Sequence, residues 1–244
     1  MNISGIRLDE NGKLAIPSHI KRLKFDIGTS YCAPNAAAWL KKDTKNEVFV
    51  IGVEPNKYSV QLIEADKRLY DPEDAEIQFV YSDDNFMLIN CAIDDVEGIQ
   101  EVDFYHTTLN AGCSSLLKPT PVLNAHGVEV KELSKVKVTS FKTILDLVPW
   151  DRFEYIEHVK TDCQGKDLGV FLSAGDYVNK FVYLDAEVYT HGQYEGELSP
   201  QQVVNTITNA GFHLIHGSVN STFINRELSS LASRDHINHY SSQQ

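Results

Sequence analysis

Short apolar runs rich in β-branched residues alternate with stretches of helical periodicity along most of this chain. Three runs near the amino end, at residues 24–29, 47–54 and 86–93, each lead into polar or small residues where a loop should begin. Two later runs, at residues 158–162 and 181–188, have the same character. Such alternation predicts an α/β fold with a central, mostly parallel twisted sheet and helices on both of its faces.

Three stretches between these runs carry helix signals. Residues 34–42 begin with proline and are rich in alanine, so we expect a helix whose amino end faces the tip of the first strand. Residues 57–69 place their apolar side chains on one stripe with charges opposite, which predicts a second covering helix. A third helix is expected at residues 200–210, with Ser199 as N-cap and Gly211 beyond its end.

The middle of the chain departs from this alternation. Residues 102–106 have the character of a strand, and residues 111–121 are rich in glycine, serine and proline. We expect an inserted β-hairpin and a loop on the substrate side of the sheet. The predicted organisation is an N-terminal extension that packs on the domain at residues 1–23, the domain itself at 24–228, and a polar C-terminal tail at 229–244.

Composition narrows the class of protein. A chain of 244 residues, 42% hydrophobic and 23% charged, can bury one substantial core. No apolar run approaches the roughly 20 residues that a membrane-spanning helix needs, and the amino end lacks the centre of a signal peptide, so a cytoplasmic protein of a bacterium or a virus is expected. The net charge of -12 argues against a nucleic-acid partner. The four cysteines contain no C-x-x-C pair, so neither a zinc site nor a disulfide framework is predicted.

Two strand ends carry the most informative residues. Asp26 and Gly28 end the first strand, and glycine at this point lets a ligand approach the backbone near a helix amino end, which favours a carboxylate group. Glu54 ends the second strand, 28 residues after Asp26, close to the spacing of a ribose-binding acid. The G-x-G-x-x-G turn of dinucleotide enzymes is missing after Gly28, which argues against binding of NAD.

Four segments, in this order, resemble the FkbM family of S-adenosylmethionine-dependent methyltransferases. They are FDIGTS at 25–30, VIGVEPN at 50–56, INCAIDDVEG at 89–98 and VKTDCQGKDLGVFLSAG at 159–175. The resemblance extends over residues 24–227. It implies a Rossmann-like class I methyltransferase fold, S-adenosylmethionine as cofactor, and transfer of the methyl group to a hydroxyl of a sugar, a glycan or a similar small acceptor.

The same resemblance implies roles for individual residues. Asp26 and Gly28 would line the methionine part of the cofactor, Glu54 the ribose, and residues 90–92 the edge of the adenine, with Asp162 beside the transferable methyl group. The complete predicted cofactor set is Asp26, Gly28, Ser30, Asn35, Glu54, Pro55, Asn90, Cys91, Ala92 and Asp162.

The chain departs from the family pattern in the first loop. A second glycine is usual there, whereas this chain has Tyr31 and then Pro34 and Asn35. Tyr31 is expected to close over the cofactor, and Asn35 to supply a hydrogen bond that the usual loop takes from its backbone.

A hydroxyl is a poor nucleophile, so a base should remove its proton as the new bond forms. Asp162 is the first candidate, because it ends a strand and precedes a turn, and Glu187 is the second. His106, on the predicted hairpin, and His191 are alternatives. The predicted substrate-binding residues are Ser114, Ser115, Gln164, Asp185 and His191.

Other interpretations remain open from the sequence. Asp162, Asp185 and Glu187 could gather a divalent cation, although nothing in their spacing requires one. Asp26 and Glu54 could instead cap helices. A nucleotide-binding oxidoreductase would share the ribose-binding acid but needs the glycine-rich turn, and a catalytically decayed binding module would not bind the cofactor. Whether the protein forms an oligomer is left open.

Overall fold

The computed structural model describes residues 3–107, 111–188 and 192–232. Its strands are β1 (Arg22–Ile27), β2 (Val48–Val53), β3 (Arg68–Tyr70), β4 (Gln78–Val80), β5 (Phe86–Ile89), β6 (Ala92–Ile93), β7 (Ile99–Thr107), β8 (Val130–Thr139), β9 (Ile156–Thr161), β10 (Phe181–Glu187), β11 (Phe212–His216) and β12 (Asn220–Asn225). Its helices are α1 (Pro34–Lys42), α2 (Lys57–Asp66), α3 (Pro121–Ala125), α4 (Phe141–Leu145), α5 (Asp167–Ser173) and α6 (Pro200–Asn209).

The central sheet is mostly parallel and has the order β11-β12-β10-β9-β1-β2-β5. β1 pairs in parallel with both β2 and β9, β2 with β5, and β9 with β10. β12 lies antiparallel between β10 and β11. If the strands of this sheet are renumbered along the chain, their order is 3-2-1-4-5-7-6. The direction of strand order therefore reverses between β1 and β9.

Side chains of the central strands alternate between two cores. In β2, Val48 and Val50 pack on one side with residues of α1 and α2, such as Leu40 and Ile63. Phe49 and its neighbours of the same parity pack on the other side with residues of α4, α5 and α6. Every residue of β2 is buried, as expected for a parallel strand covered on both faces. The mixed α/β architecture agrees with the sequence prediction.

The helices begin and end where local signals predict. α1 has Pro34 in its first turn. The side chain of Ser199 and that of Gln202 form a capping box at the start of α6. α2 is shorter than predicted, because Lys67 adopts a left-handed φ of 54° and ends the helix, and the following residues form β3.

A smaller sheet with the order β6-β8-β7 contains the antiparallel pair β7 and β8. The predicted strand at 102–106 lies within β7, whereas β8 was not predicted. The predicted strand at 86–93 is two strands, since the chain leaves the central sheet after β5 and joins the smaller sheet as β6. Residues of the N-terminal extension, including Leu14 and Ile20, are buried in the larger core.

No helix in the described ranges has the length and apolar character needed to cross a membrane.

Candidate active-site cleft

A cleft lies at the carboxyl ends of β1, β2 and β9, beside the point where strand order reverses. In open α/β sheets this is where ligands bind. The cleft contains about 570 Å³ of space, counting its open mouth. It is lined by Ile27, Gly28, Ser30, Val53, Glu54, Pro55, Cys91, Ala92, Ile93, Phe104, Gly112, Ser114, Ser115, Leu116, Asp162, Cys163 and Lys166.

Gly28 joins the strand tips at the floor of the cleft. Its φ is +79°, and a Cβ atom at this position would lie 2.0 Å from the carbonyl oxygen of Asp162. The Gly28 N–H donates to the Val53 carbonyl at 2.8 Å, and the Asp162 N–H donates to the Ile27 carbonyl at 3.0 Å. A side chain at Gly28 would therefore force the tips of β1 and β9 apart.

Glu54 is held by two backbone N–H groups at the edge of the cleft. Its Oε2 accepts from the Ser30 N–H at 2.7 Å, and its Oε1 accepts from the Asn56 N–H at 2.8 Å. Only 6% of the residue is exposed, and burial raises its pKa to about 7. A carboxylate oxygen has two lone pairs, so each oxygen can accept a further hydrogen bond from a ligand hydroxyl.

Asp26 lies beneath the cleft and does not line it. Its carboxylate is fully buried, and the Lys160 ammonium is 3.4 Å from its Oδ1. Lys160 also donates to the Gly28 carbonyl at 2.9 Å and lies 3.5 Å from Asp162 Oδ2. Asp26 is thus placed to hold Lys160, and through it the loop at Gly28, rather than to contact a ligand directly.

Asp162 and Glu187 are joined by one side chain. The amide nitrogen of Gln164 donates to Asp162 Oδ1 at 2.6 Å and to Glu187 Oε2 at 2.7 Å. Asp162 lines the cleft and its side chain is 34% exposed. Glu187 lies behind it in a separate pocket, and burial together with the charges of Asp162 and Asp167 raises its pKa to about 9. At neutral pH Glu187 therefore holds a proton. Asp162 is the member of the pair that faces the cleft.

The loop after β7 forms one wall of the cleft. Ser114 and Ser115 both line it. The Ser115 hydroxyl donates to the Gln164 carbonyl at 2.8 Å, and the backbone of Ser115 pairs with that of Tyr105. Gln164 itself is 9% exposed and lies behind Asp162 rather than in the lining.

Other predicted cofactor residues divide between the cleft and its surroundings. Ser30, Pro55, Cys91 and Ala92 line the cleft with those named above. Asn90 does not, and its side chain donates to the Glu54 carbonyl at 2.8 Å, which fixes the loop after β2. Asn35 is half-buried on α1, outside the lining. Tyr31 lies outside it too and packs edge-on against Tyr70, with ring centroids 6.3 Å apart.

His106 is not brought to Asp162. It is buried in a second pocket shared with Lys57, Lys135 and Lys137, where its Nε2 lies 2.8 Å from Ser134 Oγ. Burial lowers the pKa of His106. The geometry therefore disfavours His106 as the base.

Asp185 also lies apart from the cleft. Its Oδ2 is 2.7 Å from His158 Nε2 within the central sheet. Within the described ranges no three acidic, histidine or cysteine side chains gather as metal ligands. A cation held jointly by Asp162, Asp185 and Glu187 does not fit this arrangement. His191 falls outside the described residues.

Three residues of this region were missed in the sequence. Lys160 lies between Asp26 and Asp162 because it is the β9 partner of Asp26 in the parallel ladder. The Tyr194 hydroxyl lies 2.7 Å from Gln164 Oε1. Lys166 lines the cleft and pairs with Asp94 at 2.6 Å. Only Lys160 had a usable signal, namely its position two residues before a strand-end acid.

Comparisons with known proteins give little. No family model matches the chain, and no curated protein matches it. Among solved structures, the crystal structure of a methyltransferase FkbM from Methylobacillus flagellatus KT is similar, with a TM-score of 0.46 and 13% identity over 84% of this chain and 44% of that one. The chain spans less than half the length of that protein.

Proposed function

We propose that the protein is a methyltransferase that binds S-adenosylmethionine in the cleft and methylates a hydroxyl group. The proposal rests on the placement of Glu54. This acid is buried at the tip of β2, and its two oxygens accept hydrogen bonds from the N–H groups of Ser30 and Asn56. An acid so placed beside the strand-order reversal suits a pair of ribose hydroxyls.

Two further observations support it. The four motifs that resemble the FkbM family contribute the residues at the floor and one end of the cleft, Gly28, Glu54, Cys91 and Asp162 among them. The sheet order 3-2-1-4-5-7-6 reverses beside the cleft, and open α/β sheets bind nucleotides at such a reversal.

The residues present fit such a cofactor. Gly28 lets the tips of β1 and β9 approach each other at the floor of the cleft, and Glu54 offers acceptors for sugar hydroxyls. Cys91, Ala92 and Phe104 give an apolar wall for a flat base. When bound, S-adenosylmethionine supplies an electrophilic methyl group on its sulfonium sulfur.

The chain's own task is to orient the acceptor and take its proton. Asp162 is the accessible carboxylate at this end of the cleft, and Lys160 and Gln164 contact its two oxygens. A carboxylate held in this way can accept the proton of a hydroxyl as that oxygen attacks, which contributes roughly 10²- to 10⁴-fold in rate. Ser114 lines the same cleft, where its hydroxyl can bind a polar acceptor such as a sugar. Ser115 is buried, and its hydroxyl donates to the Gln164 carbonyl.

Calorimetry tests cofactor binding first. We expect heat of binding with S-adenosylmethionine and with S-adenosylhomocysteine, and none with NAD. Binding of NAD alone would favour an oxidoreductase, and no heat with any of the three would favour a decayed binding module.

A transfer screen with methyl-labelled cofactor then tests the chemistry against sugars, glycans and lipid-linked acceptors. Asp162→Asn should lower turnover by roughly 10²-fold or more while leaving cofactor binding in place. Asp84→Asn is a matched control, since Asp84 is exposed and outside the cleft lining. Unchanged turnover in Asp162→Asn would exclude Asp162 as the base.

A further inference from the structure

The side-chain amide of Gln164 is buried and contacts two carboxyl groups. It is 9% exposed, and both hydrogens of its Nε2 are used, one on Asp162 Oδ1 and one on Glu187 Oε2. The two carboxyl groups come from different elements, the end of β9 and the end of β10. A neutral double donor is the group that can bring them together without adding a charge.

Tyr194 contacts the other end of this amide. The Tyr194 hydroxyl is 2.7 Å from Gln164 Oε1 and 2.9 Å from the carbonyl oxygen of Cys113, and its one proton is available to either. A flipped amide would direct its oxygen at the Asp162 carboxylate, which is unfavourable. Asp162 therefore selects the orientation in which Nε2 donates to it, and this leaves Oε1 for the Tyr194 hydroxyl.

The backbone of Gln164 is also constrained. Its φ is +52°, which is uncommon for a residue other than glycine, and its carbonyl accepts the Ser115 hydroxyl at 2.8 Å. Such conformations persist where surrounding contacts hold them. Gln164 is therefore held from its backbone and from its side chain.

We propose that Gln164 is a positioning residue that orients the Asp162 carboxylate into the cleft, and that Tyr194 acts on Asp162 only through Gln164. This inference rests on the proposed function for the role of Asp162. Gln164 holds Oδ1, while Lys160 lies 3.5 Å from Oδ2, so the carboxylate is fixed from two sides. Gln164 then does not bind the substrate, the role that the sequence suggested.

Other titratable groups surround the carboxyl pair and must be considered in any test by pH. They are Lys160, Asp26, Asp167, Cys163, Cys113, Tyr194 and Glu197.

The first test uses the unliganded protein. Gln164→Met keeps the length of the side chain and removes both donors, and Tyr194→Phe removes one hydroxyl. Carboxyl ¹³C NMR would follow the titration of Asp162 and Glu187. Loss of donors to the ionised form should raise the midpoint of the pair by about 0.5 pH unit or more in Gln164→Met, and by less in Tyr194→Phe.

The double variant decides how Tyr194 acts. If Tyr194 acts through Gln164, adding Tyr194→Phe to Gln164→Met should not shift the titration midpoint of the carboxyl pair any further. Additive shifts, or an unchanged titration in Gln164→Met, would overturn the proposal. Gln201→Met is the matched control, because Gln201 is exposed on α6 and donates only to Asn205 among the described residues.

Turnover gives the second readout. In Gln164→Met we expect kcat to fall roughly 10²-fold with the KM for S-adenosylmethionine unchanged, and the rising limb of the pH profile to move in parallel with the NMR midpoint. If kcat were unchanged and the KM for S-adenosylmethionine rose instead, a positioning role for Gln164 would be contradicted. If the wild-type protein bound no S-adenosylmethionine, the proposed function would fail, whereas the NMR titration would still test the link between Gln164 and the carboxyl pair.

Discussion

Lys160 and Asp26 face each other across the β1–β9 ladder, with the ammonium 3.4 Å from the carboxylate and both side chains buried. Burial alone would lower the pKa of Lys160, but the charges of Asp162 and Asp26 raise it above its ordinary value. Lys160 therefore stays charged beneath the cleft. It connects the carboxylate at the sheet interior with the Gly28 loop and with Asp162.

Removal of the Lys160 ammonium should lower the stability of the fold. Lys160→Met leaves the Asp26 carboxylate buried without its cation, and we expect the free energy of unfolding to fall by about 3–5 kcal/mol in urea denaturation. Asp26→Asn should cost less, because Lys160 keeps Asp162 and the Gly28 carbonyl. The double variant should recover much of the loss. Lys21→Met, which breaks the exposed pair with Glu47, should change stability only slightly. Equal losses in Lys160→Met and Lys21→Met would contradict this account.

Glu54 should control cofactor affinity and its dependence on pH. Glu54→Gln keeps the shape of the side chain but loses its charge and one acceptor, so affinity for S-adenosylmethionine should fall by roughly 10-fold or more. Because burial raises the pKa of Glu54 to about 7, wild-type affinity should also weaken as pH falls below that value, whereas Glu54→Gln should show no such change. The measurement is calorimetry of S-adenosylmethionine binding at pH values above and below about 7. Glu64→Gln, at an exposed position of α2, is the control, and full affinity in Glu54→Gln would exclude Glu54 as the ribose-binding residue.

The sequence predicted the parts of the fold that depend on local signals. The bounds of α1 and the ends of β1, β2 and β9 follow from periodicity and from residues that end strands. Because parallel strands present their carboxyl ends at one edge, Gly28, Glu54 and Asp162 could be placed at one site from their order alone. The structure brings all three to the cleft.

Contacts that depend on register could not be predicted. Alternation says that Asp185 and Glu187 share a face of β10, but not that Asp185 meets His158 while Glu187 meets Gln164. For the same reason the sequence did not separate Asp26, one position deeper than Ile27, from the residues that line the cleft. The contact of His106 with Ser134 could not be predicted, because Ser134 lies on β8, which the sequence analysis did not predict.

Gly28 can be tested against a second glycine of similar conformation. Gly28 and Gly12 have φ values of +79° and +72°, but a Cβ atom at Gly12 meets nothing within 4 Å. Gly12→Ala should therefore cost only the strain of a left-handed alanine, about 1–2 kcal/mol. Gly28→Ala adds a clash with the Asp162 backbone and should cost about 3 kcal/mol or more, with loss of S-adenosylmethionine binding. Equal destabilisation in thermal unfolding would show that the close approach of β1 and β9 is not required.

Glu187 should make the protein less stable in alkali. Its pKa is raised to about 9, so between its ordinary value near 4.5 and about 9 the folded state holds a proton that the unfolded chain has released. Stability from this group is thus fully present below about pH 4.5 and is lost as pH rises through about 9. Asp167 and Glu54 act in the same direction, but with pKa values raised only to about 6 and about 7.

Of these three carboxyl groups, Glu187 alone should therefore contribute a slope between about pH 7 and 9. Glu187→Gln mimics the protonated acid, so its free energy of unfolding should fall less than that of the wild type over this interval in urea denaturation. Burial raises the pKa of Cys163 well above its ordinary value, but this thiol is present in both proteins and its effect cancels in the comparison. Glu195→Gln, which breaks an exposed pair with Lys118, should follow the wild-type curve. Parallel curves for Glu187→Gln and the wild type would mean that Glu187 is already ionised at neutral pH.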